Sequence, residues 1–255
     1  MKQKRVSAIA LSAAAAAMLT FSGRGGGGGG SAGVASPAAP TTPTTPTTTA
    51  ALQQPALIVA AEPTANGATK THAFFAELET WTDTTVNTKA GAKPTVDLAT
   101  AISGGGTVNL VNTNLYSING NVVIPAGVTL NIPAGTILFG ETASSYLVVE
   151  KGATLNVSGA TNDPVIFTSK NDVTTGSALT AAGEWGGVSI FGTATTNKGV
   201  VNYEAGSFTF GGSNDAEGSS TIENMVIMHS GYEVEVDAEL NGLSLGGVGT
   251  GTTID

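Results

Sequence analysis

The 255-residue sequence predicts an all-β fold: a right-handed parallel β-helix, or solenoid, over residues 100–255, preceded by a signal peptide and a disordered Gly/Pro/Thr-rich stalk. Three observations predict it. The segment Asn121–Thr136 recurs without gaps as Tyr146–Thr161, an offset of 25 residues. Short apolar runs inside each copy alternate with polar residues, the period of a strand with one face in and one face out. Only 11% of the residues are charged and 5% aromatic, whereas glycine accounts for 35 and cysteine for none. Such a chain solvates itself with Thr, Ser, Asn and Gly, and its stability has to come from burial and hydrogen-bond ladders rather than disulfides.

Residues 1–23 read as a signal peptide. Lys2, Lys4 and Arg5 form a positive start, and Val6–Phe21 is an apolar run too short to span a bilayer, so no transmembrane span is expected. The following FSGRGGGGGG has the layout of a lipoprotein signal, with Arg24 in the place of the lipid-accepting cysteine. Arginine cannot form the thioether, so a lipid anchor is not possible on the chain as written. Cleavage near Ser22, or replacement of a cysteine by Arg24, are the two alternatives.

Residues 24–66 read as a disordered linker. Gly25–Gly30 is flexible, and Pro37, Pro40, Pro43 and Pro46, spaced by three, favour extended polyproline II. Neither segment can bury a core. Residues 67–99 read as a lead-in or cap, with apolar residues at 73, 74, 75, 78 and 81 that suit a short helix.

The coils follow. Thr107–Ile118 is expected to form the first coil or its cap. VVIP, VTLNI and TILFG are the three strands of one coil, and LVVE, ATLNV and PVIFTS those of the next, separated by PAG, EKG and SGATND turns. Stacking the coils about 4.8 Å apart places Val123 over Val148, Leu130 over Leu155 and Ile132 over Val157 as interior ladders, with Asn131 over Asn156 as an amide ladder. Further strands are expected at Val188–Phe191, Ile222–Met228, Leu243–Leu245 and from Thr252 onward. A β-sandwich is the competing fold, but it wants hairpin signals, and Asn119–Gly120 is the main good one. The last strand meets the final residue, Asp255, as in a fragment of a longer protein or a coil that stacks on a partner.

The ordered series NVVIPAGVTLNIPAGTILFG, LVVEKGATLNVSGATNDPVIFTS, GEWGGVSIFG and ELNGLSLGGVGTGTTID resembles a group of secreted bacterial β-helix proteins of pectate-lyase-like fold, many of them uncharacterised surface proteins or lipoproteins. The resemblance covers about residues 100–255 and implies that fold. It implies no activity.

Charge and chemistry narrow the function. Four of the ten basic residues lie in the first 24 positions, and the remainder has six lysines against 19 acidic residues, a poor match to nucleic acid or to anionic membrane surfaces. After residue 100 there is no arginine, and Lys170, in the turn Lys170–Asn171–Asp172, is a weak choice for a lyase base. Asp215 and Glu217, in the loop GGSNDAEGSS, are calcium candidates through their oxygens, beside the plainer reading of a solvated turn. Glu233, Glu235, Asp237 and Glu239 alternate in YEVEVDAEL and as a single strand would share one face; a solvated edge or loop is the alternative. His229 stands at a strand end with His72 far off, which argues against a zinc site or a His-based triad. No catalytic residue and no resident cofactor is assigned. The reading is an exported structural or adhesion-type module at the outer-membrane surface or outside the cell, with surface glycans or other surface proteins as partners. A β-helix polysaccharide lyase or glycoside hydrolase is the alternative.

Overall fold

The computed structural model describes residues 73–203, 208–235 and 238–255, together with two-residue strands at 10–11, 62–63 and 69–70. The rest of the expected signal peptide and stalk, including Arg24, lies outside the described residues.

The chain winds through three parallel sheets. Sheet 1 is ordered Ala10–Leu11, Met225–Met228, Val165–Ser169, Ile137–Gly140, Leu115–Ile118, Thr95–Asp97. Sheet 2 is ordered Leu243–Gly246, Gly187–Phe191, Tyr146–Val149, Asn121–Ile124. Sheet 3 is ordered Thr253–Ile254, Ser220–Glu223, Thr154–Ser158, Thr129–Pro133, Thr107–Asn109. From Leu115 onward the coil strands visit sheets 1, 2 and 3 in turn and then return to sheet 1 one rung further on, whereas the first rung passes from Thr95–Asp97 directly to Thr107–Asn109 in sheet 3. The fold is a right-handed parallel β-helix.

The repeat folds in the register that its alignment implies. Tyr146–Val149 pairs with Asn121–Ile124 at the same offset, and Thr154–Ser158 pairs with Thr129–Pro133. The turns explain why. In Pro125–Val128 and Glu150–Ala153 the fourth residue's N–H donates to the first carbonyl at 3.1 and 2.9 Å, and the third residue, Gly127 or Gly152, sits at φ +83°. That is a type II turn, whose third position favours glycine.

Inside the tube, Leu130 stacks on Leu155, and Ile132 on Val157 and Ile222. Tyr116, Leu138, Phe167 and Ile227 form the ladder of sheet 1. These residues belong to one continuous core, in which each aliphatic side chain contributes on the order of 1.5–3 kcal/mol of burial. Val123 and Val148 stack as expected but face outward. The inward residues of these two strands are Val122, Ile124, Leu147 and Val149, so the alternation runs one residue out of step with the expected interior pair.

The start of the tube is covered by α3 (Leu98–Ile102), capped by Asp97 through the Thr100 N–H at 2.8 Å. It lays Leu98 and Ile102 on the interior residues of the first coil. The helices α1 (Ala73–Leu78), α2 (Thr85–Ala90) and α4 (Lys170–Thr174) lie instead on the outside of sheet 1. There Phe74, Trp81, Val86, Ala90 and Val173 pack on Leu115, Ile137, Phe139 and Ile166 as a second core.

Two expected strands are broken. Ile222–Met228 divides at Asn224, whose φ of +45° turns the chain from sheet 3 into sheet 1. YEVEVDAEL is not one strand but an antiparallel hairpin, Glu233–Glu235 against Ala238–Glu239, with Glu233 opposite Glu239. The expected row of four carboxylates on a single strand therefore does not form; Asp237 lies outside the described residues.

Candidate functional surface

The three outer faces differ in what covers them. Sheet 1 is covered by helices. Over sheet 2, the segment after Phe191 folds back. Phe191 packs against Tyr203, Phe208 and Phe210 with ring centroids 4.8, 6.2 and 5.6 Å apart, and the Tyr203 and Ser189 hydroxyls meet at 2.8 Å. Phe210 also lies over Gly246, where a Cβ would come within 2.6 Å of the ring.

Sheet 3 presents polar rows. Thr107, Thr129 and Thr154 are in register, as are Asn109, Asn131, Asn156, Thr221 and Thr253. All of these are exposed or half-buried. Asn156 donates its side-chain N–H to Asn131 Oδ1 at 2.8 Å, and Asn131 donates to Asn109 Oδ1 at 2.7 Å. An amide has two N–H donors and an oxygen with two lone pairs. A rung in the middle of the ladder thus keeps one donor and one acceptor for an outside partner. Among the described residues the Thr107, Thr129 and Thr154 hydroxyls have no partner within the chain. Rows repeat at about 4.8 Å between strands and about 6.7 Å along them. Over the first three rungs the rows consist of Thr, Asn, Pro133 and Ser158, and the first carboxylate in them is Glu223.

Asp215 and Glu217 lie elsewhere, in the loop that joins sheets 2 and 3. Asp215 Oδ1 accepts the Thr195 N–H at 2.7 Å, and Glu217 Oε1 accepts the Gly249 N–H at 2.7 Å and the Ser219 hydroxyl at 3.3 Å. The backbone hydrogen bond from Thr195 holds the Asp215 carboxyl below its ordinary value of 3.8. Both carboxylates fasten neighbouring loops, and among the described residues no cluster of three His, Asp or Glu is placed to hold a metal.

A buried polar cluster went unseen in the sequence. Asp172, expected in a surface turn, sits in α4 with 2% of its side chain exposed, facing the wholly buried His229, Oδ2 to Nε2 at 3.5 Å. The Thr168 hydroxyl donates to the same Oδ2 at 2.6 Å. Ser169 and Ser177 both donate to Glu184, and the Glu184 N–H donates to the His229 carbonyl at 2.8 Å. The pieces come from two stretches of chain, residues 168–184 and His229, and no local spacing signals them. The cluster offers no exposed nucleophile, and His229 faces Asp172 and Ala181 rather than a serine, so it has no triad geometry. Lys170 stands apart at the surface, paired with Glu141 at 2.6 Å.

Among the described residues no helix is long and apolar enough to cross a membrane. Comparison with curated proteins and with solved structures finds no match. The family model described as a pectate-lyase-like β-helix domain matches residues 101–255, more than half of the chain and all the coils from α3 onward. Its span begins where the tube is capped and runs through every strand of the repeat, and the chain belongs to the pectate-lyase-like β-helix domain family.

Proposed function

We propose that this chain is an exported module of structural or adhesive type that works at a cell surface or outside the cell and holds neutral glycan chains against sheet 3. The observation that carries this reading is the row of Thr and Asn side chains on that face, uncharged from Thr107 to Asn156 and not used up by the chain itself. Each rung offers a donor and an acceptor at a fixed spacing, which complements the hydroxyls of an extended polysaccharide. The basic start, the apolar run to Phe21 and the Gly/Pro/Thr-rich stretch to residue 66 support export and display on a stalk. The acidic balance of the chain argues against polyanionic partners.

The test is retention of the purified chain on immobilised neutral and uronate polysaccharides, with calcium and with chelator. The expected outcome is calcium-independent retention on a neutral polymer, weakened at least about tenfold when Thr129→Glu and Thr154→Glu place charge in the row, a loss of about 1.4 kcal/mol. Calcium-dependent release of unsaturated products from a uronate polymer would replace this reading with that of a polysaccharide lyase. Absence of retention on every polymer would remove the glycan role.

A further inference from the structure

The buried cluster around His229 has an electrostatic logic of its own. His229 Nδ1 lies 2.9 Å from the Ala181 carbonyl. A carbonyl only accepts, so Nδ1 carries a proton. In a neutral ring Nε2 would then be a bare lone pair, and it faces the Asp172 carboxylate at 3.5 Å with its own surface fully buried. Two acceptors face to face in a dry site repel each other. The repulsion is relieved when a proton lies between the two groups, as it does when Nε2 is protonated and the ring is an imidazolium opposite a carboxylate.

The cluster also joins parts of the fold that share no sheet. Asp172 belongs to α4, Glu184 to the loop before sheet 2, and His229 to the end of a sheet 1 strand, where it adopts φ +58°. The Gly183 and Glu184 N–H groups donate to the Ser230 and His229 carbonyls at 2.9 and 2.8 Å. Beyond α4, Asn87 of α2 donates to the Val173 and Thr174 carbonyls, both at 2.8 Å, and Asp83 accepts the Leu179 N–H at 2.9 Å. The segment 170–185 is therefore a polar link between the solenoid and α2, beside the apolar contacts that Val86 and Ala90 make with sheet 1.

We propose that Asp172, His229 and Glu184 form a proton-dependent fastener that holds segment 170–185 on the β-helix while His229 is doubly protonated, and slackens it when that proton leaves. The charged groups that bear on the ring are Asp172 from α4 and Glu184 from the following loop. Burial is the largest single influence and pushes the His229 pKa down. The hydrogen bonds to Asp172 and Ala181 and the charges of Asp172 and Glu184 outweigh it, and the pKa lies above the ordinary 6.5. A histidine whose folded pKa is raised contributes stability that is fully present below its unfolded value and is lost as pH rises through the folded value.

The test uses the full chain. The His229 imidazole is titrated by NMR, its signal told from that of His72 with the variant His229→Asn, which tolerates the left-handed backbone. Backbone amide exchange in 170–185, corrected for its intrinsic pH dependence, is followed in parallel. The expected result is a titration midpoint above 6.5. Exchange should rise across that midpoint, by up to about tenfold for each pH unit that separates the folded and unfolded midpoints. Asp172→Asn, whose amide can donate to a neutral Nε2, is expected to abolish that rise. A midpoint at or below 6.5, a flat exchange profile in the native chain, or an undiminished rise in Asp172→Asn would overturn the proposal.

Discussion

Asn156 donates its side-chain amide to the side-chain oxygen of Asn131, one coil away, at 2.8 Å. Asn131 passes the pattern on to Asn109 at 2.7 Å. These bonds run along the tube, parallel to the backbone ladder, and tie three coils on the outside while Leu130 and Leu155 tie them within.

Replacing the middle member is the direct measure of that ladder. Asn131→Ala removes both bonds, and the partners left behind are partly solvated rather than sealed. The expected loss is about 1–2 kcal/mol in a urea unfolding curve. Asn131→Asp keeps an acceptor for Asn156 and loses the donor to Asn109, so its loss should fall between those of the native chain and the alanine variant.

Gly140 is a packing constraint. A Cβ there would stand 2.6 Å from the Cβ of Trp185, which is wholly buried. Gly140→Ala is expected to destabilise by about 1–3 kcal/mol, because the indole has nowhere to retreat. Gly104 has open space where its Cβ would be, and Gly104→Ala should be neutral or slightly stabilising in the same thermal melts.

Trp185 also has a polar role. Its indole N–H donates to the Met228 carbonyl at 2.7 Å in the interior. Trp185→Phe keeps an aromatic ring but leaves that carbonyl without the donor, at an expected cost of about 1–3 kcal/mol. Chemical denaturation followed by circular dichroism reads the change without relying on the lost fluorophore.

Asp215 should contribute to acid sensitivity. Its folded pKa is depressed by the Thr195 N–H. Its contribution is therefore present above the ordinary carboxylate value and lost as pH falls through the lower folded value. NMR titration of the Asp215 carboxyl is expected to give a midpoint below 3.8, and a midpoint at or above that value would show that the Thr195 bond is not formed in solution.

Lys170 and Glu141 form a surface ion pair, with the lysine side chain 53% exposed. Lys170→Ala should change stability by less than about 1 kcal/mol. The same variant checks the lyase alternative: any uronate-cleaving activity that depends on this lysine would vanish with it, whereas retention on neutral polymers should be unchanged.

The repeat was legible because its causes are local. Alternation at Leu130–Asn131–Ile132 and Leu155–Asn156–Val157 decides which residues face in, and Gly127 and Gly152 fix the turn that keeps successive coils in step. The same local logic misled at the edges of the pattern. Val123 and Val148 are identical in the two copies yet point outward, because in an apolar run such as Val122–Val123–Ile124 the period-two signal is saturated and either phase looks buried. At Asn224 a corner was hidden because Glu223 and Asn224 pass for polar positions within one strand from Ile222 to Met228, and only the left-handed backbone of Asn224 marks the turn.

The sequence by itself determined the class of fold, the register of its best coils and the polar ladder on sheet 3, since all three follow from residues that are near neighbours or direct repeats of one another. Only the tertiary structure decided which faces of the tube are covered and which group meets His229. Helix α4 brings Asp172 beneath a turn from a later coil, and α1 and α2 cover sheet 1 but not sheet 3. Those outcomes depend on how the coils and insertions fold back on one another, and charge pairing across such distances leaves no period in the chain to read.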